Sequence, residues 1–299
     1  MMKEFKNVAV LMGGPSSERA VSLNSGRAVA NGLRQAGYAV TEVDVTGRAL
    51  NLPAGMDAVF VALHGEFGED GGVQGLLEEM GIPYTGSGPE SSRYSFDKQL
   101  SKKTFVQNGI PTPRYEILRS GESRTLALPV VVKPPCQGSS IGISRVLCEA
   151  EWEPALREAL RFGPEVLVEE YIAGRELTVG IVDREALPVV EIVAPDGNYD
   201  YESKYTKGRT QYLVPAPLSP AASDACRAIA MRTFDALRCR GLARVDFRLS
   251  TEGELYVLEL NNIPGFTETS LLPKAALCAG MTFPLLCDRI LRAATQGAA

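Results

Sequence analysis

The run NVAVLM at residues 7–12 passes directly into GGPSSERAVSLNSG, and apolar positions then recur at helical spacing as far as Leu33. A strand, a glycine turn and an amphipathic helix in that order form the unit from which open parallel sheets are built. Two further β segments follow, GYAVTEVDV and MDAVFVALHG, and GGVQGLLEEMGI reads as a short helix. Residues 1–95 are therefore expected to form an open α/β domain around a parallel sheet. Such sheets bind ligands beyond the C-terminal ends of their strands, here the turn from Gly13 to Glu18 and the loop from His64 to Gly72.

After residue 95 the rhythm changes. DKQLSKKTFVQNG predicts a lysine-bearing helix, PTPRYEI and LPVVVKP lead to a glycine/serine loop, and WEPALREALRFG reads as a helix before the strand PEVLVEEYI. ELTVGIVD and ALPVVEIV look like an antiparallel pair, so residues 96–180 are expected to form a smaller α+β domain. From residue 181 the polar segment GNYDYESKYTKGRTQY has the character of a long active-site loop. It precedes a helix near SDACRAIAMRTFDALRC and the strands GLARVDFRLS and GELYVLELNN, which suggest a third module over 181–299.

Composition narrows the function. With 45% hydrophobic residues the chain can pack real cores, and it has no run of eighteen apolar residues. The start MMKEFKNVAV lacks a basic region, apolar block and cleavage site, so a cytoplasmic protein with no membrane insertion is expected. A net charge of -5 offers no general attraction to a polyanion, which argues against a nucleic-acid partner. The six cysteines show no CxxC pair and read as buried thiols. A single histidine, His64, excludes a metal site of two or three imidazoles, so any divalent ion must rely on carboxylates, amides and water.

Two stretches carry chemistry. VVKPPCQGSSIG puts Lys133 at the end of an apolar strand, ahead of a loop holding Gly138, Ser139, Ser140 and Gly142. A lysine neutralises phosphate, and backbone N–H groups and hydroxyls can follow its oxygens, although a plain hairpin would look the same. Lys98 can join that phosphate only through tertiary folding; by itself it reads as a surface salt-bridge residue. In RVDFRLSTEGELYVLELNN, strand alternation puts Arg244 and Asp246 on one face, and Glu259 and Asn261 on one face of the next strand. A hairpin would gather these groups, either as a magnesium site of Asp246, Glu259 and Asn261 or as a solvated face of salt bridges. Arg244 suits an anionic reaction centre, because guanidinium donates hydrogen bonds and cannot ligate a cation.

Together the two stretches imply a nucleoside triphosphate held between a lysine/glycine module and an acidic hairpin. At this point the chain resembles the D-alanine:D-alanine ligases of the ATP-grasp superfamily. The resemblance rests on GGPSSERAVSLNSG, ALHGEFGEDGGVQGLLE, PYTGSG, DKQLSKK, VVKPPCQGSSIG, SKYTKGRTQY, ARVDF and LELNNIPGFTETSLLP, in family order along nearly the whole chain. It implies a three-domain ATP-grasp fold of α/β and α+β parts. The implied reaction phosphorylates the carboxylate of one D-alanine with ATP and lets the amine of a second attack, giving D-alanyl-D-alanine, ADP and phosphate for peptidoglycan precursors. It further implies a homodimer and two magnesium ions, which manganese can replace.

By that resemblance Lys98, Lys133 and the loop Gly138, Ser139, Ser140 bind the ATP phosphates, with Lys204 a further ATP contact. Asp246, Glu259 and Asn261 match the metal ligands. Glu18 matches the residue holding the ammonium of the first D-alanine, with His64 beside it and Tyr205 and Ser140 as its hydrogen-bond partners. Arg244 and the backbone around Gly265 match the groups that stabilise oxyanion charge, and Ser270 and Leu271 match the second-substrate site. Glu169, Glu170, Tyr171 and Ile172 match the adenine-contacting segment, and Glu176 the ribose-binding acid. The family often has lysine where this chain has Glu170, and glutamate where it has Ala20. Tyr205 resembles the dipeptide-forming class, whereas relatives that make D-alanyl-D-lactate commonly carry another residue there. Two alternatives stay open: an ATP-dependent carboxylate–amine ligase with other substrates, and an ATP-binding regulatory protein.

Overall fold

The buried run Val8–Gly13 becomes the centre of a three-stranded parallel sheet in a computed structural model of the protein, which describes residues 5–195 and 209–295. Strand β1 (Asn7–Gly13) lies between β2 (Ala39–Val45) and β3 (Ala58–Val61), parallel to both. Covered on both faces, β1 and β3 carry near-continuous apolar runs, while the edge strand β2 is half exposed and alternates. Helix α1 (Arg19–Gln35) packs on this sheet so closely that a Cβ on Gly26 would stand 2.4 Å from Met12 Cβ, a contact only glycine permits. Buried Ser22 accepts from Gly13 N–H at 2.9 Å and donates to the Ala62 carbonyl at 2.7 Å. It thereby ties together the two strand ends that feed the expected ligand loops. The second of those loops leads into α2 (Gly72–Glu79).

Helices α3 (Pro89–Phe96) and α4 (Lys98–Gln107) meet at Asp97, whose side chain accepts from the N–H groups of Gln99 and Leu100 and so starts α4. Beyond them β4 (Tyr115–Arg119), β5 (Val130–Lys133), β6 (Ser144–Val146) and β7 (Glu165–Glu170) form an antiparallel sheet in the order β4-β7-β5-β6. Trp152 and Leu156 of α5 (Glu149–Ala159) cover it. The sequence does not announce β6, whose three residues are too few to show period-two alternation.

The third sheet gathers β8 (Gly174–Val182), β9 (Glu185–Ala186), β10 (Val190–Val193), β11 (Gln211–Leu213), β12 (Leu242–Ser250) and β13 (Leu255–Asn261). Its order is β11-β10-β8-β12-β13, with β9 on β8, and its pairings are antiparallel. The expected pair ELTVGIVD and ALPVVEIV appears as β8 and β10. Because β8 pairs along its whole length with β12, a division at residue 180 runs through a strand of this sheet. Helix α6 (Pro220–Ala236) buries Cys226, Ala230 and Phe234 against it.

Two helices not expected from sequence, α7 (Leu271–Cys278) and α8 (Phe283–Arg292), return the chain to the first sheet. Phe266 stacks between Phe60 and Phe283, with centroids 5.8 and 5.5 Å away, and Leu272 and Ile290 join the core of Val8 and Phe60. The first and third sheets thus share one apolar core. Among the described residues no single helix is long and apolar enough to cross a membrane. Helices α7 and α8 together have the length, but they bend by 103° and bury Leu271, Leu272, Leu286 and Ile290. The expectation of buried thiols holds for Cys226, Cys239 and Cys287, while Cys136, Cys148 and Cys278 are exposed; all six are free. The exposed three lie in the glycine/serine stretch, just before α5 and at the end of α7, where the chain leaves its packed faces.

Candidate active site

Glu18 stands at the N-cap of α1, but its side chain caps nothing. Ser16 Oγ takes the Glu18 N–H instead, leaving the carboxylate to reach the glycine/serine loop of the second sheet. There Ser139 Oγ donates to Glu18 Oε1, and a Cβ on Gly138 would lie 2.6 Å from Glu18 Oε2. A side chain at 138 would displace the Glu18 carboxylate. Ser139 and Ser140 both adopt left-handed backbone (φ 51° and 59°), a conformation that costs L-residues about 1–2 kcal/mol each and concentrates at ligand loops. Ser139, next to the expected Ser140, makes a bond to Glu18 from the turn closed by Ile141 N–H on the Gly138 carbonyl. Tyr205 and Lys204 lie outside the described residues.

His64 is buried. Its Nδ1 is 3.0 Å from the Ile263 carbonyl, which can only accept, so Nδ1 carries a proton. In the neutral ring Nε2 then accepts from Ser25 Oγ at 3.1 Å, and Ser25 Oγ accepts from Phe266 N–H at 3.2 Å. The histidine fastens the loop after β3 to the segment after β13. Glu69, a neighbour the sequence reading passed over, has Oε1 4.0 Å from Nδ1 and accepts from Gly65 N–H at 2.8 Å. Burial raises its pKa above the carboxylate range, and the nearby Glu18 charge adds to that, against the opposing pull of His64.

Register fulfils the hairpin expectation: Arg244 faces Asn261 and Asp246 faces Glu259, with a bulge just beyond Asp246. Asp246 accepts from Arg244 Nε and Nη2 (2.9 and 2.8 Å), Thr178 Oγ1 (2.6 Å) and Asn261 Nδ2 (3.0 Å). Ion pairing therefore occupies this face, as one alternative expected. The donor set still suits a hard cation, since two carboxylates and an amide carbonyl offer only oxygen. Among the described residues no cluster of three or more His, Cys, Asp or Glu could hold a metal ion. An ion here would complete its shell with water or other outside oxygens, and Asp246 would exchange a protein donor for it.

Lys98, first residue of α4, points its Nζ at Glu259 Oε2 (3.2 Å) and donates to the Gln137 carbonyl (2.7 Å). Burial pulls its pKa down most strongly, but the charge and hydrogen bond of Glu259, with the charges of Cys136 and Glu169, together outweigh that and leave it raised. Lys133 Nζ is 2.6 Å from Glu169 Oε2, and both are buried. Glu169 thus faces the lysines, whereas Glu170, one residue on, points outward to Arg114 at 2.9 and 3.1 Å. Tyr171 carries Arg145 on its ring at 5.4 Å and Arg248 at 5.9 Å. Arg248 also lies 3.5 Å from Glu176, and Ile172 is half buried beside them in sequence. The base and ribose candidates therefore flank the join between the second and third sheets.

The Ser270 hydroxyl accepts from Thr267 N–H at 3.0 Å at the start of α7, Leu271 is buried, and a Cβ on Gly265 would face Ser270 Oγ at 3.6 Å. A cavity of about 700 Å³ joins these groups. Glu18, His64, Ser139, Arg244, Glu259 and Asn261 line it, as do Gly138, Gly265, Ser270 and Leu271. Lys98 and Asp246 touch this lining through Glu259 and Arg244, whereas Lys133 and Glu169 are not among the lining residues. Lys274, unremarked in the sequence, also lines the cavity from α7. A separate groove of about 540 Å³ between Ser120–Arg124 and α5 contains none of the site residues.

The chain is similar to known proteins over nearly its whole length. The family described as D-ala D-ala ligase C-terminus matches residues 101–292, and that described as D-ala D-ala ligase N-terminus matches residues 46–87. A D-alanine–D-alanine ligase of Syntrophotalea carbinolica is 50% identical over 296 residues, covering 97% of this chain and 96% of its own. One from Bordetella pertussis is 47% identical over 302 residues, with 97% and 96% covered. The crystal structure of D-alanine–D-alanine ligase from Bacillus anthracis complexed with ATP superimposes with a TM-score of 0.85 at 32% identity, over 96% of this chain and 97% of that one.

Proposed function

Since the chain belongs to the D-alanine–D-alanine ligase family, we infer that it joins two D-alanine molecules with ATP, releasing D-alanyl-D-alanine, ADP and phosphate for peptidoglycan precursor synthesis. The observation that carries this reading is the single cavity in which the Glu18–Ser139 contact faces Arg244, Glu259 and Asn261. An ammonium-binding acid, an oxyanion-binding arginine and an oxygen-donor set are what a carboxylate–amine ligase requires.

Glu18 receives the ammonium of the first D-alanine and turns its carboxylate toward the phosphate-binding lysines. An oxygen of that carboxylate takes the γ-phosphoryl group, ADP departs, and the acyl carbon gains a phosphate leaving group. Lys98 and Lys133, with the backbone of Gly138, Ser139 and Ser140, hold the phosphate chain. Asp246, Glu259 and Asn261 would hold two magnesium ions, or manganese in their place, whose charge offsets that of the phosphates. The Ser270 hydroxyl and Leu271 N–H receive the carboxylate of the second D-alanine, so that its amine attacks the acyl carbon. Arg244 and the Gly265 N–H stabilise the resulting oxyanion until phosphate leaves with one of the original carboxylate oxygens. The Glu18–Ser139 contact closes the loop over the acyl phosphate and keeps water away. Tyr171 and Ile172 supply the adenine contacts together with the backbone of Glu169 and Glu170, whose side chains are turned to the lysines and to Arg114, and Glu176 the ribose contact.

Family membership supports a homodimer working in the cytoplasm. We read the chain as three modules, one per sheet, with the second boundary at the Tyr171–Ala173 linker that precedes β8.

The test is phosphate release coupled to mass detection of product, with D-alanine, L-alanine, D-serine and D-lactate in turn. D-alanine is expected to give the dipeptide; a predominant ester with D-lactate, or no condensed product under saturating ATP and magnesium, contradicts the reading. Glu18→Gln is expected to raise KM for D-alanine about 10- to 100-fold, the worth of a charge-assisted bond. ATP affinity, measured by calorimetry, should stay within about twofold, since no phosphate contact is lost. Equal loss of both would make Glu18 a structural residue.

A further inference from the structure

Helix α4 presents Lys98 and Lys102 one turn apart on the same face. Lys98 is accounted for at the phosphate site, but Lys102 is not. Its side chain is wholly buried, with Nζ 2.7 Å from Glu169 Oε1. It donates to Thr112 Oγ1 at 2.5 Å and to the Val257 carbonyl at 3.3 Å. Thr112 and Val257 take two of its three N–H groups, and its charge is set against Glu169. Its position behind Glu169 matters because the other oxygen of that carboxylate, Oε2, lies 2.6 Å from Lys133 Nζ. Oε1 accepts no hydrogen bond, so charge alone holds Lys102 to that side.

From this arrangement we propose that Lys102 is a positioning residue for nucleotide binding: by taking half of the Glu169 carboxylate, it leaves Lys133 with uncompensated positive charge for the phosphates of ATP. The inference rests on the reading of Lys133 as a phosphate ligand.

Among the described residues two ammoniums share one carboxylate in this cluster, beside the Lys98–Glu259 pair. The cluster therefore keeps one net positive charge, in a buried setting where charge is weakly screened. Without Lys102, Lys133 and Glu169 would form a closed neutral pair, and a phosphate would have to compete with Glu169 for the Lys133 ammonium. Packing does not explain the lysine, because a buried ammonium costs several kcal/mol of desolvation that an apolar side chain of similar length avoids. Burial lowers Lys102 to about 8 against the opposing pull of Glu169. Burial would raise Glu169, but Lys102 and Lys133 outweigh it and hold the carboxyl below its ordinary range.

The experiment is a double-mutant cycle on the full-length protein, read as the Kd of ATP with magnesium by calorimetry, beside KM for each substrate. Lys102→Met is expected to weaken ATP about 10- to 100-fold, the effect of one charge at this range. KM for D-alanine should change less than about twofold, since no substrate contact is touched. With Glu169→Gln already in place there is no carboxylate to share, and adding Lys102→Met should then change the ATP Kd less than about threefold. An equal loss in both backgrounds would assign Lys102 to packing and overturn the proposal, as would an unchanged Kd in the single variant. Lys102→Gln keeps donors for Thr112 and Val257 while removing the charge, so it serves if the methionine variant does not fold. It should reproduce the weakened ATP binding, and wild-type affinity would overturn the proposal. Lys133→Met separates the two layers of the argument. If it binds ATP like the parent, the phosphate site itself is misread; if it binds weakly while the Lys102 variants bind normally, only the role of Lys102 falls.

Discussion

Arg244→Met is expected to lower kcat about 10²- to 10³-fold, the usual cost of removing one oxyanion donor, without weakening ATP. The direction of the second effect follows from the hairpin. Arg244 is bonded through two nitrogens to Asp246, so its removal leaves a carboxylate held by Thr178 and Asn261 and more open to a divalent cation. Magnesium–ATP affinity should hold or rise while turnover collapses. Steady-state kinetics with calorimetric ATP binding would check this. A parallel fall in kcat and ATP affinity would mean that Arg244 serves chiefly to build the hairpin, and an unchanged kcat would remove it from the reaction.

The second large effect is expected from Glu259→Gln. Glu259 faces Asp246 across the hairpin and is paired with Lys98. Its loss should raise the magnesium concentration for half-maximal rate at least about tenfold and lower kcat about 10²- to 10³-fold. Magnesium titrations at fixed ATP distinguish the cases: a shifted midpoint places Glu259 at the ion, whereas an unshifted midpoint with lower kcat would make it only the keeper of Lys98.

The fold was legible where local pattern and tertiary environment agree. The continuous apolar runs of β1 and β3 announce a doubly covered parallel sheet, and the alternation in RVDFRLS and LYVLELNN places Arg244, Asp246, Glu259 and Asn261 on the hairpin face that the register then aligns. Strand β6 was hidden because three residues carry no period, and α7 and α8 because their packing partner is a sheet more than two hundred residues away in sequence. The same limit applied within the site. Alternation cannot say that Ser139, beside the expected Ser140, turns toward Glu18 from left-handed backbone, and the structure gives it a bond there. Lys102 read as one more lysine on a charged helix. Its i+4 spacing from Lys98, beside buried Ser101 and Phe105, was the available signal that it faces inward. Glu69 lay in plain view in HGEFGED, yet its burial against His64 depends on contacts made by the chain at Ile263 and Phe266.

The central claim is that a carboxylate of D-alanine is phosphorylated before the peptide bond forms, and isotope transfer tests it most directly. With D-alanine carrying ¹⁸O in both carboxylate positions, and unlabelled ATP and water, each turnover should deliver one ¹⁸O into the released phosphate and leave the other in the peptide carbonyl. Phosphate free of label while dipeptide accumulates would contradict activation through an acyl phosphate, and with it the roles given to Lys133, Arg244 and the Glu18–Ser139 closure.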